Sequence, residues 1–204
     1  MSSFLRTGTG FLTLILFVVL PLGVFISRSR VKVNVFLYWA IIYPSWYLTN
    51  SLLHEGSHYL VNRLTGVQVL EVRLIPHFWK GDFANAFVQT GLENPFQAAF
   101  GAMAPYTTGL LWVAFGLLLL RSVRRMPMIM SALVLTIFCL RPLADIINNY
   151  FAAIAFHFGD FYVIGKAVGH PGMHFLALSL LGTTLAGCIY AVHGISHSSN
   201  PAVG

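Results

Sequence analysis

The sequence predicts an all-α polytopic membrane protein of about six transmembrane helices, with a short strand-like insertion after the second. Three observations carry that expectation. Of the 204 residues, 57% are hydrophobic and only 9% are charged, where a soluble domain has roughly a quarter of its residues charged. The mean hydropathy is +0.75. Apolar runs of spanning length recur along most of the chain, and one stretch between the second and third runs alternates apolar and polar residues instead. A chain so poor in charge has too little polar surface to cover itself in water, so the lipid bilayer is its expected solvent. At this length a bundle of spans uses nearly every residue, which leaves one membrane-embedded domain over residues 1–204.

The first apolar run covers residues 11–26. A lone Arg6 precedes it and Ser27-Arg28-Ser29-Arg30 follows, without the small-x-small cleavage pattern of a signal peptide. A retained helix is expected. Residues 33–62 form the second helix, which carries His54-Glu55-Gly56-Ser57-His58 near its end. In the insertion, residues 66–92, the stretch Val67 to Leu74 alternates along part of its length and reads as a strand, with Phe83 to Thr90 as its partner. The third span runs from Pro95 to Leu120 and the fourth from Met128 to Tyr150. A less hydrophobic fifth, Phe151 to Val168, contains Asp160, so that residues 95–170 hold the remaining core helices. The last helix, residues 175–192, precedes a short polar tail.

The net charge of +6 does not mark a nucleic-acid surface. Its basic residues gather in two short interhelical stretches, Arg28, Arg30 and Lys32, then Arg121, Arg124 and Arg125. That is how positive charge orients a membrane protein. With both stretches on the cytoplasmic side, six spans place both chain ends opposite; a bacterial-type plasma membrane is the expected home. Cys139 and Cys188 lie in apolar runs and read as small core residues, not as a disulfide framework.

The six acidic residues divide into two sets. Glu71, Asp82 and Glu93 lie in the loop between the second and third spans, where water can solvate them. Glu55, Asp145 and Asp160 lie within or against apolar spans, where an ionisable group costs at least ~2.5–3.5 kcal/mol unless paired or solvated. These three are the first places to look for function.

Glu55 stands inside His54-x-x-x-His58. Residues four apart on a helix share a face. Two imidazoles so placed can bind one tetrahedral metal, while the neighbouring glutamate faces the water to be activated. The competing reading is a polar cluster held by its own hydrogen bonds. A zinc site of this kind needs a third protein ligand, and Asp145 and Asp160 are the carboxylates at membrane depth. Asp145 has Arg141 one turn earlier, so a local ion pair can account for it. Asp160 has only His157 within a turn, which makes it the preferred ligand with Asp145 as runner-up. A helix N-cap is the bland alternative for Asp160.

At these residues the chain resembles the site-2 protease family of intramembrane zinc metalloproteases. The segment His54 to Val69 looks like the family's motif helix and its Gly-Val entry into a sheet-like segment. Gly101-Ala102-Met103-Ala104-Pro105 looks like the small-residue and proline motif of the next helix. Arg141 to Ile146, Gly159-Asp160 and Ile164 to Gly169 resemble the last motif region of a compact branch. The family's Asn-x-x-Pro-x-x-x-x-Asp-Gly signature is not present as such: Phe161 follows Asp160, and position 152 is Ala. The resemblance implies a Zn2+ endopeptidase with His54, His58 and Asp160 as ligands and Glu55 as general base. Its substrate would be a transmembrane segment of another membrane protein, unwound at the scissile bond.

The histidines also suggest a rival. Six of the eight fall in His-x-x-x-His pairs, His54/His58, His170/His174 and His193/His197. A histidine-rich di-iron membrane hydroxylase or desaturase would use such pairs, although no His-His dipeptide occurs. A non-catalytic membrane module that keeps the fold is the third reading.

Overall fold

The structure is a computed structural model and describes residues 34–76, 86–91, 94–123 and 126–198. The expected first helix and most of both basic stretches lie outside the described residues. Helix α1 spans Asn34–Leu64. It ends because Gly66 takes a left-handed conformation, φ 74°. Gly66 N–H then bonds Arg63 O and Val67 N–H bonds Asn62 O, which closes the helix in a Schellman motif. The chain turns directly into strand β1, Val69–Arg73, which pairs antiparallel with β2, Phe87–Thr90. Val72 faces Val88 and Arg73 faces Phe87, with an irregularity between Val69 and Glu71. The expected strand-like insertion is thus a two-stranded hairpin.

Helix α2, Pro95–Ser122, starts on a capping box. Gln97 N–H donates to Asn94 Oδ1 at 2.9 Å and Asn94 N–H donates to Gln97 Oε1 at 3.2 Å, with Pro95 at the first helical position, where its missing N–H costs nothing. This helix buries Ala99, Gly101, Ala102, Ala104, Gly109 and Gly116, and turns Phe96, Leu111 and Leu118 outward. Small residues inside and large apolar ones outside is the pattern of helices that pack in lipid.

Helix α3, Met128–Val134, runs through a π-helical stretch, Leu135–Leu140, into α4, Arg141–Phe156. Arg141 N–H bonds Thr136 O, five residues back. The next residue, Pro142, has no N–H, so Ile137 O lacks its partner in that register. Arg141 Nε–H donates to Ile137 O at 3.3 Å instead, and the guanidinium is 2% exposed.

The fourth helix continues to Phe156, past the expected boundary at Tyr150. Nothing in Tyr150-Phe151 breaks a helix. The break falls where the backbone turns left-handed, at His157 (φ 54°) and Gly159 (φ 88°). Helix α5 then spans Asp160–Ser198, bent at Gly169, whose φ of 80° and ψ of 160° suit only glycine. Its first segment, residues 160–168, is about 14 Å long at 1.5 Å per residue. That is too short to cross a bilayer core of ~30 Å, so the expected fifth span is a half-length helix. Among the described residues three helices, Pro95–Ser122, Ile129–Phe156 and Asp160–His193, are long and apolar enough to cross a membrane.

α2 packs against α1, α5 and the π stretch. Its core contacts include Tyr106, Ile146, Phe161, Ile164 and Ala177, all nearly fully buried. Cys139 and Cys188 are buried free thiols, and Cys188 Sγ donates to Cys139 O at 3.3 Å. Close approach relies on glycine: a Cβ on Gly116 would stand 2.6 Å from Phe138 Cβ. Because that atom sits next to backbone, Gly116→Ala is expected to cost about 1–3 kcal/mol of stability. Gly182→Ala, with nothing within 4 Å, is the control and should leave the unfolding midpoint in detergent unchanged.

Candidate metal centre

α1 presents His54 and His58 one turn apart, with ring centroids 4.8 Å apart and nearly perpendicular. The tight Gly159 turn brings Asp160, the first residue of α5, against them. His54 Nε2 lies 3.2 Å from His58 Nε2 and 3.3 Å from Asp160 Oδ2, and His58 Nε2 lies 3.5 Å from that same oxygen. Ligand atoms about 2.05 Å from a tetrahedral zinc are about 3.3 Å apart. His54, His58 and Asp160 could therefore hold a metal ion on three of its four corners.

The far side of each ring explains why the lone pairs converge. His54 Nδ1–H donates to Asp145 Oδ2 at 2.7 Å, and His58 Nδ1–H donates to the Gly101 carbonyl at 2.8 Å. A carboxylate and a carbonyl accept hydrogen bonds, so each Nδ1 carries a proton, and a ring that is neutral then turns an Nε2 lone pair inward. Two nitrogen lone pairs and a carboxylate oxygen that face one another repel. A cation relieves that repulsion.

Charge points the same way. Three carboxylates, Glu55, Asp145 and Asp160, are set against one buried guanidinium, Arg141. When ionised, they leave two negative charges uncompensated, which a divalent cation would neutralise. The side chains are graded in burial: Asp145 is 8% exposed, the two histidines 14% and Asp160 18%. The supporting side of the cluster is thus the most enclosed.

The two candidate third ligands take different positions. Asp160 lies on the Nε2 side of the histidines. Asp145 lies behind His54, and its Oδ1 accepts from Asn149 Nδ2 at 2.9 Å. The local ion pair expected between Arg141 and Asp145 does not form, because His54 and Asn149 occupy the carboxylate and Arg141 caps Ile137 O. Glu55 is half-buried and makes no hydrogen bond among the described residues. Its carboxylate lies within electrostatic reach of His54, His58, Asp160 and Asp145.

Tyr106 is a site residue that sequence reasoning missed. Its hydroxyl donates to Asp160 Oδ2 at 2.9 Å, and its ring stacks on Phe161 with centroids 4.5 Å apart. The available signal was a phenol among small residues in an apolar helix, since a buried tyrosine hydroxyl needs an acceptor. His157, the titratable neighbour within a turn of Asp160, is exposed and terminates α4. The other histidine pairs are not part of the cluster. His174 Nδ1 bonds Tyr150 Oη at 2.8 Å, and His170 and His193 are exposed. Among the described residues only the group of His54, His58 and Asp160 has the spacing to hold a metal.

Comparison of the chain with known protein families, curated proteins and solved structures gave no match. The chemistry of the site therefore rests on its own geometry. Tyr106→Phe removes one oxygen and keeps the ring stack. It is expected to weaken binding of added Zn2+ by about tenfold or more, read by competition with a chromogenic chelator.

Proposed function

We propose that this chain is an intramembrane zinc-dependent endopeptidase of the site-2 protease kind. It would hydrolyse a peptide bond in or near a transmembrane segment of a membrane-protein substrate, within a plasma membrane of bacterial type. One observation carries the reading: two imidazole lone pairs and a carboxylate oxygen converge at 3.2–3.5 Å, each ring fixed from behind by an acceptor. The HExxH spacing, the half-buried Glu55 beside that triangle, and three helices of spanning length support it further.

In this reading His54, His58 and Asp160 hold the ion, while Asp145 and the Gly101 carbonyl orient the rings. A zinc ion held there would supply Lewis-acid chemistry and make water acidic enough to deprotonate near neutral pH. Glu55, without a hydrogen bond among the described residues, would take the proton from the attacking water at a carboxylate oxygen. It then delivers that proton to the leaving amine. Gly56 on the same turn has open space beside it, nothing lying within 4 Å of a Cβ built there. The β1–β2 hairpin adjoins α1 and leaves Leu70 and Val72 exposed, so an extended substrate could pair along its edge.

Metal analysis of the detergent-purified chain should give about one zinc per molecule. Glu55→Gln should keep that zinc and lose about 10²–10⁴-fold in cleavage of single-span reporter substrates in proteoliposomes. Asp160→Ala should lose the metal, whereas Asp145→Ala should retain it about 10–100-fold more weakly. Two irons per chain would favour the hydroxylase reading, and full zinc without cleavage of any reporter would favour a non-catalytic module. A metal-free wild type that stays folded with both histidines changed to leucine would overturn the metal centre altogether.

A further inference from the structure

In an α-helix the carbonyl of residue 101 ordinarily accepts the N–H of residue 105. In α2 residue 105 is Pro, buried within the helix and without an N–H. Away from water a backbone carbonyl so deprived needs another donor. The donor here is not backbone at all: it is the Nδ1–H of His58, 2.8 Å from Gly101 O.

We propose that Pro105 is a positioning residue for His58, acting by withholding its N–H from the Gly101 carbonyl. This rests on the metal reading above and names a device that the reading did not contain. Since a carbonyl only accepts, the bond selects the Nδ1–H tautomer and turns the Nε2 lone pair toward His54 Nε2 and Asp160 Oδ2, at 3.2 and 3.5 Å. Gly101 supplies the second half of the device. A Cβ there would stand 2.7 Å from Asn62 Oδ1, one turn beyond His58 on α1, so any larger residue would have to displace the Asn62 amide. The glycine brings the carbonyl within reach and the proline leaves it free. The four-residue spacing of Gly101 and Pro105 follows from the helix hydrogen-bond register. A proline in this place is costly for the helix itself.

The inference predicts opposite signs for stability and metal binding. Pro105→Ala restores an N–H that competes for the Gly101 carbonyl. The metal-free variant should melt in detergent at or above the wild-type temperature. Its cobalt(II) affinity should fall about tenfold or more, and the visible bands of the cobalt form should shift as His58 reorients. Replacing position 105 with the α-hydroxy analogue of alanine makes an ester that keeps the methyl group but again lacks the N–H, and should return affinity and spectrum toward wild type. Gly101→Ala should weaken cobalt binding as well, by forcing Asn62 and the α1 face apart. A Pro105→Ala protein that melts lower and binds cobalt with wild-type affinity and spectrum would overturn the inference, as would an ester variant as weak as the alanine one. Failure of the wild type to take up cobalt would instead sink the metal reading, so the two failures are distinguishable.

Discussion

Three groups with lone pairs, from two histidines and one aspartate, are pressed to within 3.5 Å of one another where α1 meets the start of α5. Such an arrangement is unfavourable unless positive charge stands among them, and most of the surrounding structure can be understood as holding it in place. His54 is pinned by Asp145, itself tied to Asn149. His58 is pinned by a backbone carbonyl of α2. Asp160 is held by the Tyr106 hydroxyl, and the Tyr106 ring lies flat on Phe161, the residue next to it. The supports thus come from two helices, α4 for His54 and α2 for both His58 and Asp160.

Backbone chemistry in an apolar medium accounts for how the supports arise. Proline in a helix removes a donor, and where water is scarce the carbonyl left over must be satisfied by a side chain. Two of the prolines in the described helices show this. Pro142 is answered by Arg141 bonding the Ile137 carbonyl one turn back along the chain. Pro105 is answered by His58 across a helix interface. The first keeps a π-helical stretch intact; the second couples backbone geometry to the orientation of a candidate ligand. Glycine does complementary work at Gly159 and Gly169, whose positive φ values delimit the nine-residue segment that begins with Asp160.

Much of this was legible in the residues. The His54/His58 face, the adjacent Glu55 and the two buried aspartates follow from helical spacing and from the cost of charge in oil. The hairpin followed from alternation in Val67 to Leu74. The boundary between the fourth and fifth segments did not. Hydropathy falls gradually there, whereas the chain actually turns at His157 and Gly159, where left-handed φ is required. The Arg141–Asp145 ion pair was also misread, because spacing of one turn permits a contact without saying which other partners compete for the carboxylate. Tyr106 was missed for a similar reason: its acceptor is 54 residues away.

The sequence by itself determined the runs apolar enough to cross a membrane, the helix that carries two imidazoles on one face, and the short list of carboxylates set in apolar stretches. Those are consequences of composition and of periodicity within one element. Which aspartate meets the Nε2 side, which one stands behind His54, and which carbonyl orients His58 were decided only by tertiary structure. The physical reason is that a hydrogen bond or a ligand bond depends on distances of a few tenths of an ångström between atoms on different helices. Interhelical packing and backbone turns set those distances, and no local pattern encodes them.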